Sequence, residues 1–266
     1  MIERRGFLKA SLVLSMTGLC ETALGRDNGL SEACQCVMGL DQPDDWSDVK
    51  GPFPSDVPLL GRDKPTKEEE GCAREILNKV PKGAPLLETA QYFEKLQACN
   101  KSGYPYNAQW PVRANPVILN FYDATSLPVD EPIWTYKEGD TIDWCAAFIN
   151  WCLARGGYEF TYSAMSGSFR LNGGLGEPTD RPKPGDIIVF RKKDKEKAKK
   201  GFGHVGIYIA ATSNGYKVLG GNQKGGKHYS SVNTTVLPGI SDLEFDSFRS
   251  FKTIKKRKRK YEERGK

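Results

Sequence analysis

One stretch near the middle of this 266-residue chain decides how the rest is interpreted: Asp143-Trp144-Cys145-Ala146-Ala147-Phe148-Ile149-Asn150-Trp151-Cys152-Leu153-Ala154-Arg155-Gly156-Gly157. Its apolar residues recur at helical spacing and a double glycine ends it, so it predicts an α-helix. We expect Asp143 or Thr141 to cap this helix and Cys145 to lie in its first turn. Free backbone N–H groups and the positive end of the helix dipole favour a thiolate there. Cys145 is therefore a candidate nucleophile. The alternative is a small buried core residue, the interpretation preferred for Cys152.

The residues after this helix predict an antiparallel sheet. A Pro-Gly-Asp turn at 184–186 precedes a short apolar strand, and residues 203–209 alternate strictly between apolar and other side chains. The pair Asn214-Gly215 predicts a tight hairpin that leads into a strand ending in Gly220-Gly221-Asn222-Gln223. The basic stretch Arg191–Lys200 lies between two of these strands and is interpreted as a solvated hairpin loop.

Two further residues complete a possible catalytic set with the cysteine. A thiol nucleophile needs a base within hydrogen-bond reach and a third group that holds the imidazole in one tautomer. His204 begins one predicted strand between glycines, and Asn222 ends the next strand. The other histidine, His228, lies in a polar loop and is interpreted as a surface residue. No His or Cys spacing typical of a metal site and no phosphate-binding loop occurs, so neither a metal nor a cofactor is predicted.

Four motifs, in this order along the chain, resemble the CHAP family of cysteine peptidases and amidases: Trp144-Cys145-Ala146-Ala147-Phe148, Pro184-Gly185-Asp186, Gly203-His204-Val205-Gly206 and Gly220-Gly221-Asn222-Gln223. More narrowly, they resemble the bacterial and phage branch with a Trp-Cys start and a Gly-Gly-Asn-Gln end. The resemblance covers about residues 115–250. It implies a papain-like α+β fold in which the nucleophile helix packs on an antiparallel sheet.

The same resemblance implies a thiol-dependent hydrolase of peptidoglycan or its muropeptides. The bond cleaved would be the N-acetylmuramoyl-L-alanine link or an amide within the stem peptide or cross-bridge. Cys145 would be the nucleophile, His204 the base and Asn222 the orienting group. Many family members have Glu at the third position, and Gln223 is a rival to Asn222 here. Two alternatives stay open, namely an acyl transferase with the same nucleophile and a non-catalytic wall-binding protein on the same fold.

Residues 1–25 predict an export signal. Arg4-Arg5-Gly6-Phe7-Leu8-Lys9 precedes a short apolar stretch and a small-x-small cleavage pattern at 23–25. The paired arginines resemble the twin-arginine signal, although Glu3 stands where that motif usually has Ser or Thr. A general secretory signal is the alternative. Leu19 precedes Cys20 where a lipid anchor needs a small residue, so no anchor is predicted. We therefore expect the protein in the periplasm or outside the cell, where peptidoglycan lies.

Composition and charge exclude several classes of protein. With 12 Phe, 11 Tyr and 5 Trp the chain is too aromatic to be disordered, and no apolar run approaches the roughly 20 residues that span a bilayer. The net charge is +6, but nine basic and two acidic residues lie between 252 and 266. The basic excess therefore belongs to a C-terminal tail, and no nucleic-acid partner is expected. The tail is either a solubilising end or a tether to anionic envelope polymers.

The expected organisation has five parts. An irregular arm or linker at 26–65 and a helical segment at 66–114 follow the signal; a catalytic domain at 115–251 and the basic tail at 252–266 complete the chain. Of the remaining cysteines, Cys72 and Cys99 bracket a helical segment and are a plausible disulfide, while Cys34 and Cys36 would pair only with strain. Cys145 and Cys152 lie two helical turns apart, too far to bond to each other.

Overall fold

The computed structural model describes residues 30–31, 34–35, 61, 63–126, 142–224 and 229–257. The predicted export signal lies outside these residues, as do most of the predicted arm and the chain from residue 258 onward. Thr141, Cys36 and His228 also lie outside them.

Five α-helices and one antiparallel sheet make up the described structure. The helices are α1 (Lys67–Lys79), α2 (Leu86–Glu94), α3 (Pro116–Phe121), α4 (Cys145–Arg155) and α5 (Lys195–Lys199). The strands are β1 (Glu177–Thr179), β2 (Ile187–Lys192), β3 (Gly203–Thr212), β4 (Gly215–Gln223), β5 (Ser231–Pro238) and β6 (Leu243–Ser250). They lie in the order β1-β6-β2-β3-β4-β5, with each neighbouring pair antiparallel. The predicted α+β class is therefore confirmed. No described helix is long and apolar enough to cross a membrane.

The local turn signals are largely confirmed. Thr212 of β3 lies opposite Gly215 of β4, so the Asn214-Gly215 pair does close a tight hairpin. The basic stretch between β2 and β3 differs from the predicted loop because it contains the short helix α5. Asp194 caps this helix by accepting hydrogen bonds from two backbone N–H groups of its first turn.

Helix α4 packs on one face of the sheet and forms the centre of the core. Ile149 and Leu153 of α4 are fully buried in the same apolar cluster as Val205, Ile207 and Leu219 of the facing strands. The alternation predicted for β3 holds, because Val205 and Ile207 share this face. The opposite face carries a second cluster, centred on Ile188, Phe190 and Val218 and bordered by the rings of Tyr208, Tyr216, Phe245 and Phe248.

The helical segment at 66–114 packs into the same core. The ring of Phe93 in α2 meets those of Phe121 in α3 and Phe148 in α4 edge-on, at centroid distances of 5.1 and 5.9 Å. Helix α1 begins with a capping box between Thr66 and Glu69, whose carboxylate also binds the guanidinium of Arg113 at 2.8 Å. Helices α2 and α3 therefore pack directly against α4.

The predicted Cys72–Cys99 disulfide is wrong, because Cys72 is bonded to Cys34 with a Cα–Cα distance of 5.5 Å. Residues 30–35 lie against α1, where both the backbone N–H and the hydroxyl of Ser31 donate to Glu75 at 2.7 Å. That contact brings Cys34 to the face of α1 that carries Cys72. Cys99 is also disulfide-bonded, whereas Cys145 and Cys152 are free and buried.

The predicted basic tail begins too early. Residues 252–257 pack on the domain: Ile254 is buried, and the Arg257 backbone N–H donates to the Gly157 carbonyl at 2.7 Å. Glu159 likewise donates its backbone N–H to the Lys255 carbonyl at 3.0 Å. These six residues therefore belong to the folded domain, and the charged end that follows begins at residue 258.

Candidate active site

Helix α4 begins at Cys145 itself. The cap position is held by Trp144, which makes no side-chain capping hydrogen bond. Asp143 was expected to cap the helix, but its carboxylate instead accepts a hydrogen bond from the side chain of Asn222 at 2.8 Å. The first turn thus keeps its backbone N–H groups for the cysteine. Those of Cys145 and Ala146 face the sulfur, and the N–H of Val205 in β3 joins them.

Burial dominates the acidity of Cys145. The side chain is 3% exposed, and desolvation raises the pKa of its thiol to about 12, with the negative charge of Asp143 adding to the rise. The three N–H groups that face the sulfur only partly offset this shift. A rise of this size corresponds to about 4 kcal/mol, whereas a helix dipole contributes roughly 0.3–1 kcal/mol. Burial therefore opposes the thiolate that the helix dipole favours.

His204 is the second residue of β3 and is buried, and its neighbour Val205 is the residue whose backbone N–H faces the Cys145 sulfur. Its Nε2 lies 3.1 Å from Oε1 of Gln223. Desolvation lowers the pKa of His204 to about 4; the hydrogen bond to Gln223 and the charge of Asp143 oppose the shift, and Lys192 adds to it. The imidazole is consequently neutral at pH 7.

Gln223 determines the tautomer of that imidazole. Its side-chain nitrogen donates to the carbonyl oxygens of Val218 at 3.2 Å, Gly220 at 3.3 Å and Asn233. Because three carbonyls surround the nitrogen, the amide oxygen is the atom that points to the ring, and an amide oxygen can only accept. His204 therefore carries its hydrogen on Nε2, and Nδ1 presents a lone pair that can act as a base.

Asn222 does not make the contact with His204 that was predicted for it; the next residue, Gln223, makes it. A β-bulge interrupts the pairing of β4 with β5: Gly220 lies opposite Asn233, but Gln223, three residues on, lies opposite Ser231. The extra residue reverses the alternation, so Gln223 turns to the imidazole. Asn222 has a φ of +58° and its side chain turns to Asp143. The rival assignment, Gln223, is the one that contacts the histidine.

The double glycine before this bulge lets β4 approach the helix. A Cβ on Gly221 would collide with the ring of Trp144 and would lie 2.9 Å from Cβ of Phe148. Only a residue without a side chain permits this approach. Gly221 therefore lets β4 lie directly against Trp144 and Phe148.

The second free cysteine, Cys152, makes none of the polar contacts described for Cys145. Cys152 is fully buried within α4, and desolvation alone raises the pKa of its thiol well above the ordinary value. It lies in the apolar cluster beneath the site, as expected for a core residue. Among the described residues, no three His, Cys, Asp or Glu side chains gather closely enough to hold a metal ion.

Comparison with known proteins agrees with the chemistry of this site. Residues 136–222 match the CHAP domain family, a third of the chain that includes Cys145, His204 and Asn222. CHAP domains are generally cysteine- and histidine-dependent amidases or peptidases, and peptidoglycan is their substrate. No curated protein and no solved structure matches the chain.

Proposed function

We propose that this protein is an exported peptidoglycan hydrolase that cleaves an amide bond through a thioester on Cys145. The observation that carries the proposal is the hydrogen bond from His204 Nε2 to Gln223, which leaves Nδ1 free of a hydrogen and able to act as a base. A thiol nucleophile needs a base and a third group that holds the imidazole in one tautomer, and Gln223 is placed to be that third group. Similarity to the CHAP domain supports the substrate class.

The proton on Cys145 moves as the substrate is attacked. Burial raises the thiol pKa and lowers the imidazole pKa, and both directions favour a neutral pair over a preformed ion pair. In the proposed first step the sulfur bonds to the substrate carbonyl carbon while its proton passes to Nδ1 of His204. The backbone N–H of Cys145 stabilises the resulting oxyanion.

The remaining steps return the enzyme to its starting state. The imidazolium gives its proton to the leaving amine as the C–N bond breaks, which leaves a thioester and a neutral imidazole. Water then attacks the thioester while His204 accepts its proton. Collapse of this second intermediate releases a carboxylic acid and restores the thiol.

Release of product from purified peptidoglycan tests the proposal. The wild-type protein should release muropeptides with a new amine and a new carboxyl group, and in ¹⁸O water that carboxyl should gain one ¹⁸O atom. Cys145→Ala should abolish release. Cys152→Ala is the matched control, a second buried thiol in the same helix, and should keep the chemistry. Product without ¹⁸O but bonded to an added amine would show an acyl transferase. Binding without any product would show a wall-binding protein.

Export belongs to the same proposal, since peptidoglycan lies outside the cytoplasmic membrane. Replacing Arg4 and Arg5 by Lys should retain the protein in the cytoplasm if the twin-arginine route carries it. Undiminished export of that variant would indicate the general secretory route.

A further inference from the structure

A hydrogen bond ties the segment before α4 to the end of β4. The side-chain nitrogen of Asn222 donates to Oδ1 of Asp143 at 2.8 Å, across 79 positions of sequence. Each partner is close to a residue of the proposed catalytic set. Asp143 lies two residues before Cys145, and Asn222 lies next to Gln223.

The backbone at Asn222 adopts a conformation that needs such a tie. Its φ of +58° is in the left-handed region, which a residue with a Cβ occupies at a cost. The residue is the inserted one of the bulge between Gly220 and Gln223. If Asn222 left this conformation, the strand would regain its alternation and Gln223 would turn away from His204.

Asp143 also contributes a charge. Its carboxylate is exposed, yet it is close enough to the site to raise the pKa of both Cys145 and His204. The other charged side chain that acts on the imidazole among the described residues is Lys192, which opposes it. The carboxylate therefore favours an imidazolium and disfavours a free thiolate. In a reaction that moves the proton from sulfur to His204, it stabilises the acceptor.

We propose that Asp143 and Asn222 are positioning residues: their hydrogen bond holds the β4 bulge so that Gln223 meets His204, and the carboxylate stabilises positive charge on the imidazole. The catalytic part of this role rests on the proposed function. Asp143 neither gives nor takes a proton in the reaction. It acts through the imidazole, which it does not contact in the described hydrogen bonds.

Two substitutions separate the hydrogen bond from the charge. Asp143→Asn keeps an oxygen that accepts from Asn222 but removes the negative charge. Asn222→Ala removes the hydrogen bond and keeps the Cβ, so the left-handed backbone loses its tie but keeps its cost of about 1–2 kcal/mol, which should still permit folding. Asp180→Asn is the matched control, the same chemical change at another exposed carboxylate.

The charge is tested without any substrate, by following alkylation of Cys145 with iodoacetamide between pH 8 and 10 and identifying the peptide by mass. Asp143→Asn should alkylate about 3- to 10-fold faster than wild type at each pH, because loss of a nearby negative charge lowers the thiol pKa by roughly one unit or less. Asp180→Asn should match wild type. Equal rates in all three proteins would overturn the electrostatic role.

The hydrogen bond is tested on the imidazole, using NMR of protein labelled with ¹⁵N-histidine. The chain has 2 His, so the Nε2–H signal of His204 is readily assigned with a His228→Asn variant. In Asn222→Ala this hydrogen should exchange with solvent at least tenfold faster than in wild type, while in Asp143→Asn it should stay protected. Unchanged protection in folded Asn222→Ala would overturn the positioning role. If both results hold but peptidoglycan is not cleaved, the positioning role stands and the proposed function is wrong.

Discussion

The side-chain oxygen of Gln223 accepts the Nε2 hydrogen of His204 at 3.1 Å, and the Gln223 nitrogen is in turn held by backbone carbonyls. The ring is thus fixed at one end by a group that cannot rotate without losing its own hydrogen bonds. Because Gln223 rather than Asn222 makes this contact, we expect substitution of Gln223 to change the orientation of the imidazole more than substitution of Asn222.

We expect Gln223→Ala to lower kcat on peptidoglycan about 100-fold, or roughly 2.7 kcal/mol of barrier, because the imidazole would lose its fixed tautomer. Asn222→Ala should lower it about tenfold, since it acts through the bulge. Steady-state kinetics of both variants, with circular dichroism to confirm folding, compares them. The reverse order would return the orienting role to Asn222.

Stability should fall in mild acid because His204 is buried without charge. Its pKa is about 4 in the folded protein and about 6.5 when exposed, so the unfolded state binds more protons between these values. The free energy of unfolding should therefore drop as pH falls from 6.5 to 4, by about 3 kcal/mol from this group, and level off below pH 4. Urea unfolding across this range measures the slope. His204→Asn should flatten it, whereas an equally steep profile in that variant would assign the slope to other groups.

Removal of the Cys34–Cys72 disulfide should destabilise the fold without removing the thiol chemistry. The bond closes a loop with a sequence separation of 38, which corresponds to about 4 kcal/mol of chain entropy in the unfolded state. It joins residue 34 to α1, whereas Cys145 is the first residue of α4. The double variant Cys34→Ser/Cys72→Ser should therefore unfold at lower urea but alkylate at Cys145 like wild type. A loss of Cys145 reactivity in the folded double variant would contradict this separation.

Gly221→Ala should damage both stability and the site. The new Cβ would press on Trp144 and Phe148, an overpacking that costs about 1–3 kcal/mol. Gly71→Ala is the contrasting change, since Gly71 is inside α1 and a Cβ there has only Arg74 Nη2 within 4 Å, at 3.9 Å. It should raise stability by about 0.5–1 kcal/mol. The midpoints of thermal unfolding of the two variants measure these effects. Equal midpoints would mean that β4 and α4 leave room for a Cβ at residue 221.

Two truncations should behave differently. Ending the chain after Phe251 removes buried Ile254 and the backbone hydrogen bonds of residues 255 and 257, so this variant should unfold at a lower temperature. Ending it after Arg257 should leave stability unchanged. If the basic residues beyond 257 tether the protein to anionic polymers, the second truncation should sediment less with cell envelopes at low salt, and added salt should abolish the difference. Sedimentation that responds to neither change would leave the tail a solubilising end.

Short-range patterns in the sequence were sufficient to predict the main helix, a central strand and a hairpin of the fold. The apolar spacing from Trp144 to Leu153 predicted α4, the alternation at 203–209 predicted β3, and Asn214-Gly215 predicted the hairpin. Each of these patterns depends on residues within about ten positions of one another, where side-chain periodicity and turn conformation act directly. The pairing of a helix-start cysteine with a strand-start histidine followed from the same local patterns.

The finer features of the site depend on contacts between distant residues. In the bulge that turns Gln223 to His204, the side chain of Asn222 donates to Asp143, 79 positions away. Cys34 reaches Cys72 because Ser31 binds Glu75 of α1. The acidity of Cys145 likewise depends on burial beneath β3 and β4, which outweighs the helix dipole that the sequence alone suggested. Sequence by itself therefore determined the elements that carry the candidates Cys145 and His204, because local periodicity encodes those elements. Only the tertiary structure decided that Gln223 contacts His204 and that burial raises the pKa of Cys145, because strand register and desolvation arise when distant segments pack together.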